Sequence, residues 1–260
     1  MSHLRIYLTG SVCLERGDVL VPETRLPGRQ GRLALAMLVA ERQRAFAKEE
    51  LADEIWGGAP PASWEIALRS LLSKLRSALA EAGLDGEALG HAFGAYQLHL
   101  PPDAWVDLDA AGDAVHRAED SLHHGDRDDA MGWSLAANAI ARRGFLPGED
   151  SPWASGRRAW LHDVHVRALE CRAQVLLERR DLGGAARDAL RIIDLEPFRE
   201  TAYQLLMRAH ADAGNPAEAL RAYERCRSTL AEELGADPSA EIEALHLQIL
   251  RGPPGTAPTG

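Results

Sequence analysis

Small polar and basic side chains share one face of a helix predicted from Trp64 to Ala80. At 100° per residue, the leucines of this segment fall on one side and these side chains lie on or beside the other. They are Arg69, Ser70, Ser73 and Ser77, with Ile66 on the same side, and they are flanked by Lys74 and Arg76. Small side chains let a helix sit deep in the major groove of DNA, and basic groups bind phosphates and guanine edges. The pattern is equally typical of a solvated amphipathic helix, so periodicity alone leaves both interpretations open.

A second group of basic residues surrounds a helix predicted after Pro27-Gly28. Residues 25–48 carry Glu41 as their only acidic side chain. The basic side chains there are Arg25, Arg29, Arg32, Arg42, Arg44 and Lys48. This local excess indicates a basic face that attracts phosphate.

Metal-binding and catalytic chemistry have little support in the sequence. The histidine pairs at 123–124 and 162–165 have no third ligand type nearby, and the carboxylates at 49–54 have no neighbouring nucleophile. We therefore expect no metal, no cofactor and no enzymatic activity. The three cysteines, predicted to be buried structural thiols, are Cys13, Cys171 and Cys226.

The order of elements in the first 100 residues indicates a winged helix-turn-helix domain. The predicted strands lie at 4–8, 12–14 and 19–21, the predicted helices follow Pro27-Gly28 and cover 48–56 and 64–80, and a hairpin lies at 91–100. In such domains the third helix enters the major groove and the hairpin touches the DNA backbone. Residues 1–100 are therefore predicted to form a DNA-binding domain.

Helical periodicity dominates from Val106 to Leu250, after a boundary at Pro101-Pro102. Residues 181–186 and 214–219 are similar turns 33 residues apart, close to the tetratricopeptide period. Residues 101–251 are therefore predicted to form a tetratricopeptide-like domain, in which Arg199 pairs with an acid on a neighbouring helix. The predicted fold class is mainly α with a small β component. Residues 252–260 are predicted to be a disordered tail.

Charge is distributed unevenly between the two predicted domains. Residues 1–100 hold 11 basic and 12 acidic side chains, a net of −1, and residues 101–260 hold 18 and 27, a net of −9. The second domain is therefore not expected to bind DNA by itself. The longest apolar run, Leu33 to Ala40, is too short to span a membrane, and the N-terminus shows no signal peptide. We expect a cytoplasmic protein without a membrane partner.

Two groups of motifs carry a family resemblance. Those in the first half are Leu51 to Gly57, Pro60-Pro61, Leu68 to Leu79 and Gly94-x-Tyr96-x-Leu98. Those in the second half are Glu196-Pro197-Phe198-Arg199-Glu200, Leu205-Leu206-Met207, Ala219-Leu220-Arg221-Ala222-Tyr223 and Leu230 to Pro238. Together they resemble the DNA-binding and bacterial transcriptional activation domains of the Streptomyces antibiotic regulatory protein family, over about residues 4–250.

This resemblance implies a transcription activator of the family's short form. Its winged helix would be of the response-regulator output type, and its helical domain tetratricopeptide-like. The implied partners are double-stranded DNA, bound at promoter direct repeats by two protomers side by side, and RNA polymerase, recruited to genes such as those of secondary metabolism.

The loop between the second and third predicted helices consists of Gly57, Gly58, Ala59, Pro60 and Pro61. By resemblance, this loop and the acidic helix before it contact RNA polymerase. Helix-breaking residues also explain a plain turn at this place, and both interpretations stay open.

The predicted wing is poor in charge. Between His91 and Leu100, the only basic candidates are His91 and His99, which are mostly neutral at pH 7. Arg29 and Arg32 would then supply more of the attraction to DNA. A competing hypothesis is that the repeat domain binds a partner peptide and the winged helix has weak or no DNA affinity.

Overall fold

Seven strands and ten α-helices make up the described part of the chain, residues 3–252 of a computed structural model. The strands are β1 (Leu4–Tyr7), β2 (Cys13–Arg16), β3 (Val19–Val21), β4 (Phe46–Ala47), β5 (Leu89–Ala92), β6 (Ala95–Leu98) and β7 (Trp105–Val106). The helices are α1 (Gly28–Ala40), α2 (Lys48–Trp56), α3 (Trp64–Glu81), α4 (Asp107–His123), α5 (Arg127–Ala141), α6 (Pro152–Glu178), α7 (Leu182–Leu195), α8 (Glu200–Asp212), α9 (Pro216–Leu234) and α10 (Ala240–Arg251). The predicted fold class is confirmed, and within residues 3–252 no helix is both long and apolar enough to cross a bilayer.

The chain forms two compact units that are discontinuous in sequence. The first unit contains residues 3–113 and 139–163, and the second contains residues 114–138 and 164–252. The predicted boundary between a DNA-binding domain of residues 1–100 and a helical domain of residues 101–251 stays a prediction. Of the predicted tail, residues 253–260 lie outside the described residues.

A four-stranded sheet with the strand order β3-β2-β1-β7 opens the first unit. Strand β1 pairs antiparallel with β2 and parallel with β7, so that Ile6 lies opposite Leu14 on one side and Val106 on the other. All three side chains are buried. The two-residue strand β7 was absent from the sequence-based prediction because it is too short to show a period of two.

Three helices and a second sheet complete the winged helix-turn-helix. Helix α1 buries nearly all its apolar residues, whereas α2 and α3 bury only one face each. The second sheet has the order β4-β6-β5, and in it Phe46 pairs with Tyr96. Ser63 directly precedes α3, but its side chain makes no capping hydrogen bond.

Residues 139–163 pack within the first unit although they are distant from it in sequence. Phe145 and Leu146 are fully buried, and Thr9 forms an antiparallel bridge with Phe145. The buried carboxylate of Asp107 accepts hydrogen bonds from the backbone N–H groups of Leu8 and Thr9, both at 2.9 Å. The structure that presents α3 therefore extends well beyond residue 100.

Helices α7, α8 and α9 of the second unit pack in succession, and α10 packs against α8 and α9. The predicted pair is present, because the Arg199 guanidinium donates to both carboxylate oxygens of Glu170 on α6, at 2.9 and 2.7 Å. Pro216 begins α9, where its missing N–H removes no hydrogen bond of the helix. Helix α10 begins at Ala240, directly after Ser239.

Candidate nucleic-acid interface

Helix α3 presents a largely polar face to solvent. Its buried face consists of Leu68, Leu71, Leu72, Leu75, Ala78 and Leu79. Its exposed side chains include Arg69, Ser70, Ser73, Lys74 and Ser77, five of the six that periodicity placed on or beside the outer face. The Arg69 side chain is 70% exposed, and its guanidinium lies 4.0 Å from the Glu65 carboxylate, at the limit of an ion pair. Two cations and three small hydroxyls therefore face outward from one helix.

The N-terminal end of α3 is held by an ion pair with the start of α2. Lys48 Nζ donates to Glu65 Oε1 at 2.7 Å. This hydrogen bond raises the pKa of Lys48 and lowers the pKa of Glu65. The ammonium also lies 5.6 Å from the ring centroid of Trp64. The first turn of α3 is thus linked to the start of α2 by an exposed ion pair.

Arg76 occupies a different environment from the other predicted contact residues. Its Nε and Nη2 donate to the backbone oxygen of Leu89, at 3.3 and 3.0 Å. The side chain is half-buried and connects α3 to the first strand of the wing. A helical wheel places Arg76 at the flank of the polar face but contains no information about the carbonyl that binds it.

Arg29 and Arg32 on α1 are engaged by other parts of the first unit. Arg29 donates to both carboxylate oxygens of Glu149, at 3.0 and 2.9 Å. Arg32 donates to Glu23 Oε1 and to the backbone oxygen of Pro147, and its side chain is only 14% exposed. The structure does not bring these two arginines into the polar face of α3.

Strands β5 and β6 form the wing, with a two-residue turn between them. Ala92 pairs with Ala95, which leaves Phe93 and Gly94 in the turn with φ angles of 51° and 78°. Two positive φ angles are typical of a type I′ turn, where asparagine followed by glycine is preferred. Phe93 is instead fully exposed at the tip. Phe93 is not among the residues predicted from the sequence, although a Phe-Gly pair inside a predicted hairpin is an available signal.

The loop from Gly57 to Pro61 is mostly exposed, and its first residue is the C-cap of α2. Gly57 and Gly58 have φ angles of 63° and 76°, and the N–H of Gly58 donates to the Asp53 oxygen at 2.7 Å. Glycine adopts this left-handed conformation without the steric cost that other residues incur. The glycines therefore end α2, and Ala59 contributes only its backbone N–H, which donates to the Trp56 oxygen at 3.3 Å.

Other candidate chemistry is sparse in the described region. Among residues 3–252 no three metal-ligating side chains come together. Cys171 and Cys226 are buried, and burial raises the pKa of both thiols to about 12. Cys13 is only half-buried, so the prediction of a buried thiol is wrong there.

This chain matches one protein family and is similar to several regulatory proteins. The family described as "Bacterial transcriptional activator domain" matches residues 106–250. The regulatory protein AfsR of Streptomyces coelicolor is 31% identical over 228 residues, which cover 88% of this chain and 22% of AfsR. The transcriptional regulatory protein MoaR1 of Mycobacterium tuberculosis is 30% identical over 238 residues, which cover 85% of this chain and 71% of MoaR1. The chain thus spans less than a quarter of the length of AfsR.

A solved structure has the same architecture. The structure of Mycobacterium tuberculosis EmbR in complex with a low-affinity phosphopeptide superimposes with a TM-score of 0.87 at 26% identity. The match covers 97% of this chain and 66% of the EmbR chain. The similarity therefore includes the winged helix-turn-helix as well as the helical unit.

Proposed function

Because this chain belongs to the Streptomyces antibiotic regulatory protein family, we propose that it is a transcriptional activator that binds double-stranded DNA through α3. The observation that carries the proposal is the exposed face of α3, where Arg69 and Lys74 flank three serines. The named relatives are regulatory proteins, which supports a role in transcription.

In this proposal α3 lies in the major groove. Ser70, Ser73 and Ser77 allow a close approach, and Arg69 reaches base edges or phosphates. Lys74, which is exposed on the same helix, binds phosphate. Arg76 acts by holding α3 to the wing through the Leu89 oxygen.

In this proposal the wing contacts DNA through the apolar side chain at its tip and not through basic side chains. Residues 89–98 contain no lysine or arginine. Phe93 is the most exposed apolar side chain of this hairpin, and an apolar side chain can enter the minor groove. Attraction to phosphate therefore rests mainly on α3, and the expected salt dependence is small for a DNA-binding protein.

The finer parts of the proposal are two protomers side by side on direct repeats and recruitment of RNA polymerase by residues 57–61. The support is family membership together with exposure of that loop. Deletion of Gly58 would remove its hydrogen bond to Asp53 and damage the end of α2. Ala59→Asp changes the loop surface without that damage.

DNA binding is tested with a duplex selected from a random pool by the full chain. The double variant Arg69→Ala/Lys74→Ala is expected to bind at least tenfold more weakly and to lower the salt slope by about 1.8, since each phosphate contact contributes about 0.9. The matched control is Arg191→Ala/Arg221→Ala, which removes two exposed arginines from the second unit. Unchanged affinity and slope in the α3 variant would contradict the proposal.

Activation is tested by transcription in vitro from a promoter that carries the selected duplex. Ala59→Asp is expected to leave DNA affinity unchanged and to lower transcription. Gly86→Asp places the same charge in another exposed loop of the first unit and serves as control. If Ala59→Asp keeps both its DNA affinity and its transcription activity, the loop is only a turn.

A second candidate function is protein interaction through the second unit. A groove of about 700 Å³ lies among α6, α8 and α10, lined in part by Leu177, Arg208 and Leu245. A partner peptide is the ligand that a groove of this kind accommodates. A folded chain that enriches no duplex from the pool would favour this function over DNA binding.

A further inference from the structure

One large apolar side chain stands in the middle of the polar face of α3. Ile66 is 68% exposed and lies in the first turn of the helix. At 100° per residue, it points directly away from the buried Leu75, nine residues later. It lies on nearly the same line as Ser73, seven residues later, between the directions of Arg69 and Ser70.

Isolated exposed apolar residues are common and by themselves need no explanation. The position of Ile66 is what distinguishes it, because its neighbours on the same face are the groups proposed to meet DNA. It packs into no core, and its backbone N–H contributes only to the local turn with Ser63, at 3.0 Å. The fold therefore gives no reason for a branched apolar side chain at this place.

We propose that Ile66 is a sequence-reading residue that packs against the C5-methyl group of a thymine in the major groove. This inference rests on the proposed function, since it requires α3 to lie in that groove. The C5-methyl group of thymine is the one methyl group that the bases of ordinary DNA present there. The β-branched side chain of isoleucine has one strongly preferred rotamer in a helix, so it is ordered before binding.

The neighbouring side chains determine how Ile66 reaches the base. Ser70 and Ser73 are short, so the first turns of α3 can approach the groove floor closely. Arg69 places a cation beside the methyl contact, on the side that faces phosphates or guanine. The N-terminal part of a recognition helix is the part that contacts base edges in helix-turn-helix proteins. We expect preference for thymine at a position next to the one that Arg69 reads.

The experiment removes the methyl group from the DNA and the side chain from the protein. In the duplex selected by the full wild-type chain, each thymine is replaced in turn by deoxyuridine, which lacks only the methyl group. Affinity is measured by fluorescence anisotropy for the wild type and for Ile66→Ala. Leu20→Ala, which shortens an exposed leucine on β3, is the control.

At one or more positions, uracil is expected to weaken wild-type binding by about fourfold, the effect of burying one methyl group. Ile66→Ala is expected to bind the thymine duplex more weakly and to lose discrimination between thymine and uracil at that position. Leu20→Ala is expected to discriminate like the wild type. Because alanine has the higher helix propensity, Ile66→Ala is expected to keep its fold, which thermal unfolding checks.

Three outcomes overturn the inference. A selected duplex without thymine, or one in which uracil never weakens wild-type binding, refutes the methyl contact but leaves the proposed function intact. Ile66→Ala with full wild-type discrimination assigns the methyl contact to another residue. Failure of the wild type to enrich any duplex refutes the proposed function, and this inference with it.

Discussion

Arg29 donates hydrogen bonds to both carboxylate oxygens of Glu149, a residue 120 positions further along the chain. The Glu149 side chain is 1% exposed and that of Arg29 is 64% exposed. The pair joins α1 to residues 139–163. In it, the Arg29 guanidinium balances the charge of a buried carboxylate. Such an arrangement indicates a structural role for Arg29.

Arg29→Ala is expected to lower the urea midpoint of unfolding because it leaves the Glu149 carboxylate buried without its cation. The salt slope of DNA binding is expected to stay unchanged. Arg25→Ala, which breaks an exposed pair with Glu81, serves as control and should change the midpoint little. A salt slope reduced by about 0.9 in Arg29→Ala would instead show contact with phosphate.

The fragment 1–100 is expected to lack a cooperative unfolding transition. It lacks β7, the Asp107 carboxylate that binds the N–H groups of Leu8 and Thr9, and the buried Phe145. In the full chain, Phe145→Ala is expected to cost about 3–5 kcal/mol of unfolding free energy. Circular dichroism during a urea titration measures both the cooperativity of the fragment and the unfolding free energy of Phe145→Ala. A fragment that unfolds as steeply as the full chain, at the same midpoint, would contradict this dependence.

Phe93→Asn is expected to stabilise the protein while weakening its binding to DNA. Asparagine tolerates positive φ better than phenylalanine does, so the turn should gain about 1 kcal/mol. The variant also removes the exposed ring from the wing tip. Thermal unfolding and anisotropy with the selected duplex measure the two effects. Stabilisation without loss of affinity would mean that the ring makes no contact with DNA.

Glu41 is expected to stabilise the first unit in a pH-dependent way. Burial disfavours its ionised form, but hydrogen bonds from Trp153, Arg157 and Arg44 outweigh burial and lower its pKa. A lowered folded-state pKa gives stability that is present at neutral pH and lost as pH falls below the ordinary value of about 4.3.

Glu41→Gln should therefore have a lower urea midpoint than the wild type at pH 7, and the difference should shrink below pH 4. Midpoints at pH 7, 5 and 3.5 measure this change. Glu87→Gln alters an exposed glutamate and should show no such trend. A difference that is constant over this range would mean that the charge of Glu41 makes no contribution.

The helices of the winged helix-turn-helix were predictable because burial of one face requires a local apolar spacing. Leu68 and Leu75 illustrate the rule, since seven residues bring the helix back to the same side. The exposure of Arg69 and Ser73 follows from the same geometry. For these residues the sequence contains the necessary information within a few turns of helix.

Long-range partners were not predictable in this way. The Glu149 partner of Arg29 and the Leu89 oxygen bound by Arg76 depend on tertiary packing that leaves no local pattern. The buried side chains of residues 139–163 pack in the first unit, and the local sequence contains no sign of that distant partner. Strands of two residues, such as β4, are shorter than the period that identifies a strand.

The discontinuous first unit also has a consequence for protein synthesis. A ribosome adds roughly 5–20 residues per second. The 50 residues of the range 114–163 therefore emerge over about 3–10 s after the winged helix-turn-helix has left the ribosome. During that interval the surface that Phe145 and Leu146 later cover is open, so the nascent chain presents a transient apolar site to chaperones.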